Sequence, residues 1–403
     1  MPELNPHVSQ PGGRSRNGAA EVRAGFITTL VGFTSSFAVV LTGLAAVGAS
    51  PAQSASGLMA LCVMVGLGSL VLSLACRIPV TLAWSTPGAA LLGGSAALPG
   101  GFSDAVGAFL VCAVLVVLTG LWPQLGNLVL RIPAALAQAM LAGVLLPLCL
   151  APFSALSSHP AGRAAPRSRG RGGHRGFPPW ATPLSFLALF VTLVFAVATG
   201  NAEIYTASLA PTLILTWPTW SWSAVLGLAL PLYIVTMASQ NVPGIAVLAS
   251  YGYTAPWRAG LLTTGAGSCL AAMGGGHAIN LAAISAALAA GDDSGVPHSR
   301  RWRSAAWAGA FYLPLGLGAA AITTVAAAAP VGIVAAVAGL ALIAALTSSV
   351  QGAWADTDHR IAGVLTFLVA ASGLTIAGIS SAFWALVVGL LMRWLLGLKQ
   401  PKP

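Results

Sequence analysis

Apolar runs of about 17–25 residues recur along most of this 403-residue chain, and that is the length of helix that crosses a bilayer. Thirteen are read: 24–48, 57–75, 78–98, 105–122, 133–151, 181–199, 223–247, 258–273, 274–290, 304–328, 330–347, 361–378 and 381–398. Hydrophobic residues make up 57% of the chain, against 18 Lys and Arg and 8 Asp and Glu, too few charges to clothe a soluble protein of this size. The chain therefore reads as an all-α polytopic membrane protein with no separate soluble domain.

The formal net charge of +10 does not point to nucleic acid. Lys and Arg sit in short loops between apolar runs, as positive-inside topology requires, without the interleaved aromatics of a nucleic-acid surface. The five cysteines (Cys62, Cys76, Cys112, Cys149, Cys269) lie in or beside apolar runs with no metal-binding spacing and read as small buried hydrophobes. Residues 1–22, polar and Gly-rich with no apolar core, read as a disordered cytoplasmic tail and not a cleaved signal peptide. The tryptophans of "WPTWSW", residues 217–222, fit an interfacial belt.

Loop charges expose one irregularity. With the N-terminus inside, Arg77 and Arg131 fall inside, but the next crossing delivers "SSHPAGRAAPRSRGRGGHRGFPPW" outside, with Arg163, Arg167, Arg169, Arg171 and Arg175. Either 133–151 does not cross and lies re-entrant or interfacial, or a further helix belongs where the Arg-rich stretch stands. The stretch 152–179 cannot itself span, because each central Arg costs about 2.5–3.5 kcal/mol and its Gly and Pro oppose helix. A local reading-frame error would produce such a patch, and the DNA sequence over codons 152–179 tests that.

Three places break the apolar pattern. In "LAWSTPGAALLGG" (82–94), Thr86 then Pro87 signal a helix start, a hydroxyl N-cap with proline at the first helical position. In "TMASQNVPGIAVLASYGY" (236–253), Ser239, Gln240 and Asn241 precede Pro243 and Gly244. In "MGGGHAINLAAISAALAAGDD" (273–293), Gly274–Gly276 are read as freeing the backbone before a helix that carries His277, Asn280 and Ser285. Interrupted helices at bilayer depth, in corresponding places of two halves, point to the site of a secondary transporter, and half-helix N-termini suit an anion. Each motif also suits plain packing: a kink repaired by neighbours, or Asn280 bonded to another helix. The eight carboxylates (Glu3, Glu21, Asp104, Glu203, Asp292, Asp293, Asp356, Asp358) all lie in tails, loops or span ends. By elimination His277 is the best intramembrane proton carrier. Asp356 and Asp358 are read as a solvated loop. No HExxH, paired intramembrane carboxylates or GxSxG elbow suggests an enzyme, and no filter motif suggests a channel.

Through "STPGAALL", "SQNVPGIAVLASYGY", "GGHAINLAAISAAL", "FYLPLGLGAA" and "AFWALVVGLLMRWLLG", the chain resembles the benzoate:proton symporter (BenE) family of bacterial inner-membrane carriers. That family is similar in turn to uracil/xanthine permeases and sulfate transporters. The resemblance implies a 7+7 inverted-repeat fold with half-helices in the third and tenth spans meeting at a midplane site. It also implies fourteen spans; the unread one, the sixth, falls on 152–179. The expected organisation is a first repeat over 23–151, the anomalous segment, the rest of the first repeat and the second repeat over 180–398, and a tail over 399–403. Both termini are expected in the cytoplasm. The implied activity is import of benzoate or a similar aromatic monocarboxylate by proton symport, without metal or other cofactor; the same scaffold could carry another small anion or a nucleobase. A homo-oligomer is left open. Carried over by position, the third span supplies Ser85, Thr86 and Gly88, the eighth Ser239, Gln240, Asn241 and Gly244, and the tenth Gly276, His277 and Asn280. N–H groups near Gly88 and Gly276 are expected to hold the carboxylate, Gln240 and Asn241 to orient it, and His277 to serve proton coupling or substrate contact.

Overall fold

The structure, a computed structural model, describes residues 17–95, 98–122, 124–126, 131–158, 210–327, 333–357 and 359–397. The expected sixth span, the apolar run 181–199, residues 159–179 of the Arg-rich stretch, Asp358 and the tail 399–403 lie outside them.

Helices α1 (Asn17–Thr34) and α2 (Phe37–Ala46) form one interrupted span; α1 begins inside the stretch expected to be a tail, so residues 17–22 are helical. Glu21 explains the early start: it is 3% exposed and paired with Arg300 (2.8 Å) and Arg303 (3.7 Å). Helix α3 (Pro51–Cys76) starts from a capping box in which Ser50 and Gln53 exchange hydrogen bonds. A short strand β1 (Leu82–Trp84) leads into half-helix α4 (Thr86–Gly93), and α5 (Phe102–Leu121) follows.

Helix α6 (Ala134–Ser158) has 25 residues, about 37 Å of helix, and runs on through Pro147 and Pro152. The run 133–151, read as a span, is one helix of spanning length, which leaves no re-entrant hairpin there. Contrary to expectation, the first residues of the anomalous segment continue this helix.

Helix α7 (Trp222–Ser250) runs unbroken through the stretch around Pro243 where the apolar pattern breaks. Two π-helical turns, Val225–Ala229 and Met237–Asn241, precede Pro231 and Pro243. The wider turn bonds Val242 N–H to the carbonyl of Met237, which eases the crowding a proline imposes on the preceding turn. Trp217 and Trp220, just before α7, and Trp222, its first residue, are exposed, as residues of an interfacial belt must be. Then come α8 (Trp257–Met273), strand β2 (Ile279–Leu281) and half-helix α9 (Ile284–Ala290). Helices α10 (Arg301–Leu317) and α11 (Ala319–Ala327) meet at a bend of 57°. Helices α12 (Ile333–Ala353), α13 (Arg360–Ala371) and α14 (Ser381–Gly397) complete the described chain. Helix α13 stops seven residues short of the expected 378, in a turn closed by an Ile376–Ile379 bridge.

Two bodies result. Helices α1–α5 and α7–α11 pack around the strand pair, while α6, α12, α13 and α14 pack on one another at the flank. Within the first body α3 lies on α10 and α5 lies on α8. Exchanging the halves turns one pair into the other, which is the signature of an inverted repeat. Small residues allow the closeness: a methyl on Gly66 would sit 2.7 Å from the carbonyl of Gly309.

Candidate substrate site

Strands β1 and β2 pair antiparallel, with Leu82 opposite Leu281, Ala83 opposite Asn280 and Trp84 opposite Ile279. The ladder continues past both ends: Ser85 N–H donates to Ala278 (2.8 Å) and Ala282 N–H to Thr81 (2.9 Å). Because the strands run oppositely, the half-helices leave in opposite directions, and the N-terminus of each sits beside the lead-in of the other.

The outward N–H groups of the strands are answered by side chains from neighbouring spans. Ser69 on α3 accepts from Leu82 (2.9 Å), and Ser268 on α8 accepts from Ile279 (2.8 Å). Asn241, in the second π turn of α7, accepts from Leu281 (2.9 Å) and turns its amide toward Met237 Sδ (3.2 Å). At the matching place in the first half, Ser36 lies in the break between α1 and α2 and accepts from the Trp84 indole N–H (2.8 Å). Exchange of halves thus carries Leu82 onto Ile279, Trp84 onto Leu281, Ser69 onto Ser268 and Ser36 onto Asn241. Four buried polar residues frame the ladder, and three of them, Ser69, Ser268 and Ser36, looked like background in the sequence.

At α4 the cap differs from expectation by one residue. Ser85 is the N-cap and accepts from Gly88 N–H (3.1 Å), with Thr86 and Pro87 the first two helical residues. Two further groups reach Ser85: Thr236 on α7 donates to its hydroxyl (2.9 Å), and His277 Nε2 lies 3.0 Å from its carbonyl. Thr236 was not singled out, since one threonine in an apolar helix carries no sequence signal.

The glycine run acts in the opposite sense to the one expected. Gly274 caps the end of α8, Gly275 takes the left-handed conformation (φ 88°) in which glycine is favoured, and Gly276 N–H returns to Ala271 (2.8 Å). Gly276 therefore has no free N–H for a ligand. His277 is in the extended lead-in and Asn280 on β2, so of the three expected helix residues only Ser285 is on α9.

His277 and Asn280 are fully buried, and each keeps one polar atom unpartnered, Nδ1 and Oδ1; Ser239 Oγ and Thr81 Oγ are in the same state. Phe109 on α5 meets the His277 ring edge-on at 6.4 Å. Gln240 and Thr86 are half-buried. Gly244 brings α7 against the ladder, where a methyl would sit 2.9 Å from the Leu281 carbonyl. The far end of α9 is held by Arg301, almost buried, which donates to Ala290 (2.6 Å), Val296 (3.0 Å) and Asp292 (2.5 Å). A cation there complements the carbonyl end of the half-helix dipole. No cluster of three metal-ligating side chains occurs among the described residues.

Two interrupted helices whose extended lead-ins pair inside an inverted-repeat body make the construction of a secondary transporter. Residues 16–395 match the family described as BenE, benzoate membrane transport protein, and the chain belongs to that family of membrane transporters. It is similar to the inner membrane protein YdcO of Escherichia coli K12, with 38% identity over 91% of this chain and 93% of that one. It is also similar to the benzoate membrane transport protein of Acinetobacter baylyi, with 30% identity over 93% and 94%. Among solved structures it shares its fold with the transmembrane domain of the cyanobacterial bicarbonate transporter BicA (TM-score 0.56, 15% identity, 94% of this chain and 98% of that one). The murine anion transporter Slc26a9 in its inward-facing state is similar too (TM-score 0.57, 12% identity, 96% and 69%).

Proposed function

We propose that this transporter imports benzoate or a similar aromatic monocarboxylate with a proton, across a bacterial inner membrane and with both termini in the cytoplasm. The observation that carries the reading is His277: buried, one ring nitrogen unpartnered, seated against the N-cap of a half-helix. A titratable ring beside a helix N-terminus joins a proton acceptor to an anion-stabilising dipole. The relative named for benzoate supplies the substrate class.

In this reading Ser85 and Thr86, at the N-terminal end of α4, receive the carboxyl group, Gly88 N–H being already held by Ser85 Oγ, while Ser239, Gln240 and Asn280 set its orientation. Asn241, Gly244 and Gly276 shape the backbone around it, since Asn241 and Gly244 are already used by the ladder and Gly276 by the end of α8.

Uptake of radiolabelled benzoate by cells expressing the chain, against an empty-vector control, tests this. Accumulation above the control that an uncoupler abolishes is expected; membrane-inserted protein with no uptake above the control contradicts it. Replacing His277 by Ala should weaken proton-driven accumulation more than counterflow exchange, and equal loss of both would remove the coupling role.

A further inference from the structure

We propose that the proton and the substrate share a single hydrogen bond, at His277 Nδ1, so that the cargo moves as one electroneutral acid. This rests on the symporter reading above and adds the site, the stoichiometry and the charge carried.

The argument starts from a carbonyl. Ser85 O can only accept, so His277 Nε2, 3.0 Å away, must carry the ring's hydrogen. In the neutral ring Nδ1 is then a bare lone pair. It is fully buried with no partner, a state that costs free energy until a donor arrives. The surrounding main-chain donors are engaged: Gly276 N–H with Ala271, Ile279 N–H with Ser268, Leu281 N–H with Asn241 and Gly88 N–H with Ser85.

Charged groups are absent from the contacts made with the ring among the described residues. From α4 it meets Ser85 and from α5 Phe109; the other titratable groups on α5 and α8 are Asp104, the thiols of Cys112 and Cys269, and Arg258 in the first turn of α8, at the end of that helix remote from His277. Asp104, more than a turn before Phe109, is held by Gly100 N–H and Thr219. Among the described residues no Lys or Arg is placed to neutralise a carboxylate, and no carboxylate is placed to take the proton.

A carboxylate ion offers only acceptors and would meet Nδ1 lone pair to lone pair. A carboxylic acid offers the missing donor. On binding, its O–H points at Nδ1. The proton can cross, breaking O–H and forming Nδ1–H, which leaves a carboxylate facing an imidazolium and the N-terminal end of α4. The reverse transfer at the other face releases the acid, which ionises in water. One proton and one monocarboxylate cross together, and no net charge moves.

The test uses the full chain in proteoliposomes with benzoate as probe. Counterflow at equal pH first establishes carriage; its absence overturns the symporter reading and this proposal with it. Where counterflow is present, a benzoate jump on a solid-supported membrane is expected to give no transported charge above that of protein-free vesicles. A charge scaling with uptake overturns the shared-bond account while leaving symport standing. Nitrogen-15 spectra of labelled histidine, assigned by subtracting a His277→Gln sample, should show His277 with Nδ1 bare and Nε2 protonated, and Nδ1 moving toward the protonated position when benzoate is added. The opposite tautomer, or a His277 signal indifferent to benzoate during active counterflow, overturns it.

Discussion

The two strand–half-helix units are built on one plan and filled with different chemistry. Each strand has its first N–H held by a serine from the preceding helix, Ser69 in one half and Ser268 in the other. Beyond that the halves diverge. The first presents Trp84, packed edge-on against Phe33 (5.7 Å) and Tyr312 (5.9 Å), with its indole on Ser36. The second presents Leu281 at the same place and instead collects Asn241, His277 and Asn280. The distal ends differ too: Ser95 bonds the last turn of α4 through a hydroxyl, whereas Arg301 holds α9 with a charge. Symmetry supplies the scaffold, and the departures from it supply an apolar aromatic wall on one side and unsatisfied polar groups on the other.

Breaking the frame in the polar half should have the largest effect. Asn241→Leu leaves the Leu281 N–H buried without an acceptor, a cost of about 1–3 kcal/mol, and is expected to raise the KM for benzoate tenfold or more. The partner change, Ser36→Ala, removes one bond to an indole and should shift KM less than threefold. Equal effects would mean that the polar half has no special part in binding; an unchanged KM for Asn241→Leu, with the protein inserted, would remove Asn241 from the account.

A smaller, matched effect is expected where the halves agree. Ser69→Ala and Ser268→Ala each orphan one strand N–H, so each should lower the melting temperature of the purified protein by a similar amount, again from about 1–3 kcal/mol. A silent change at one and a clear loss at the other would deny the equivalence.

The smallest effect should come from outside both units, at Asp356 in the loop before α13. Burial works against its charge, but hydrogen bonds from His359 (3.2 Å) and Arg393 (2.8 Å) hold its carboxyl below the ordinary value, so this is not the plain solvated loop expected. A lowered value stabilises the fold above the carboxylate's unfolded pKa and is lost as pH falls through the folded one. Asp356→Asn should therefore cost a little stability at neutral pH, progressively less in acid, and leave the KM for benzoate untouched.

The sequence made the span-length helices legible because lipid demands long apolar runs and little else competes with that signal. It made the first half-helix legible to within a residue, since Ser-Thr-Pro offers two hydroxyls and either can cap. It misplaced the second because a glycine run suits the end of a helix as well as the start of one; the left-handed Gly275 settles which. The strands stayed invisible: three residues are too few to show alternation, and "LAW" and "INL" sit in apolar surroundings. Ser69, Ser268 and Thr236 were hidden for a related reason, as small hydroxyl residues are common wherever membrane helices pack closely. Asn241 was found, but in a different role, because a side chain's partner is a matter of the fold and not of its neighbours in the chain.

The most direct measurement is a structure of the full chain with a bromine-substituted benzoate, whose heavy atom marks its own position. The account predicts the carboxyl group within hydrogen-bond reach of His277 Nδ1, at the N-terminal end of α4. Density instead in the apolar crevice of about 390 Å³ lined by Leu41, Thr42, Thr323 and Val334, with the ladder unoccupied, would contradict it.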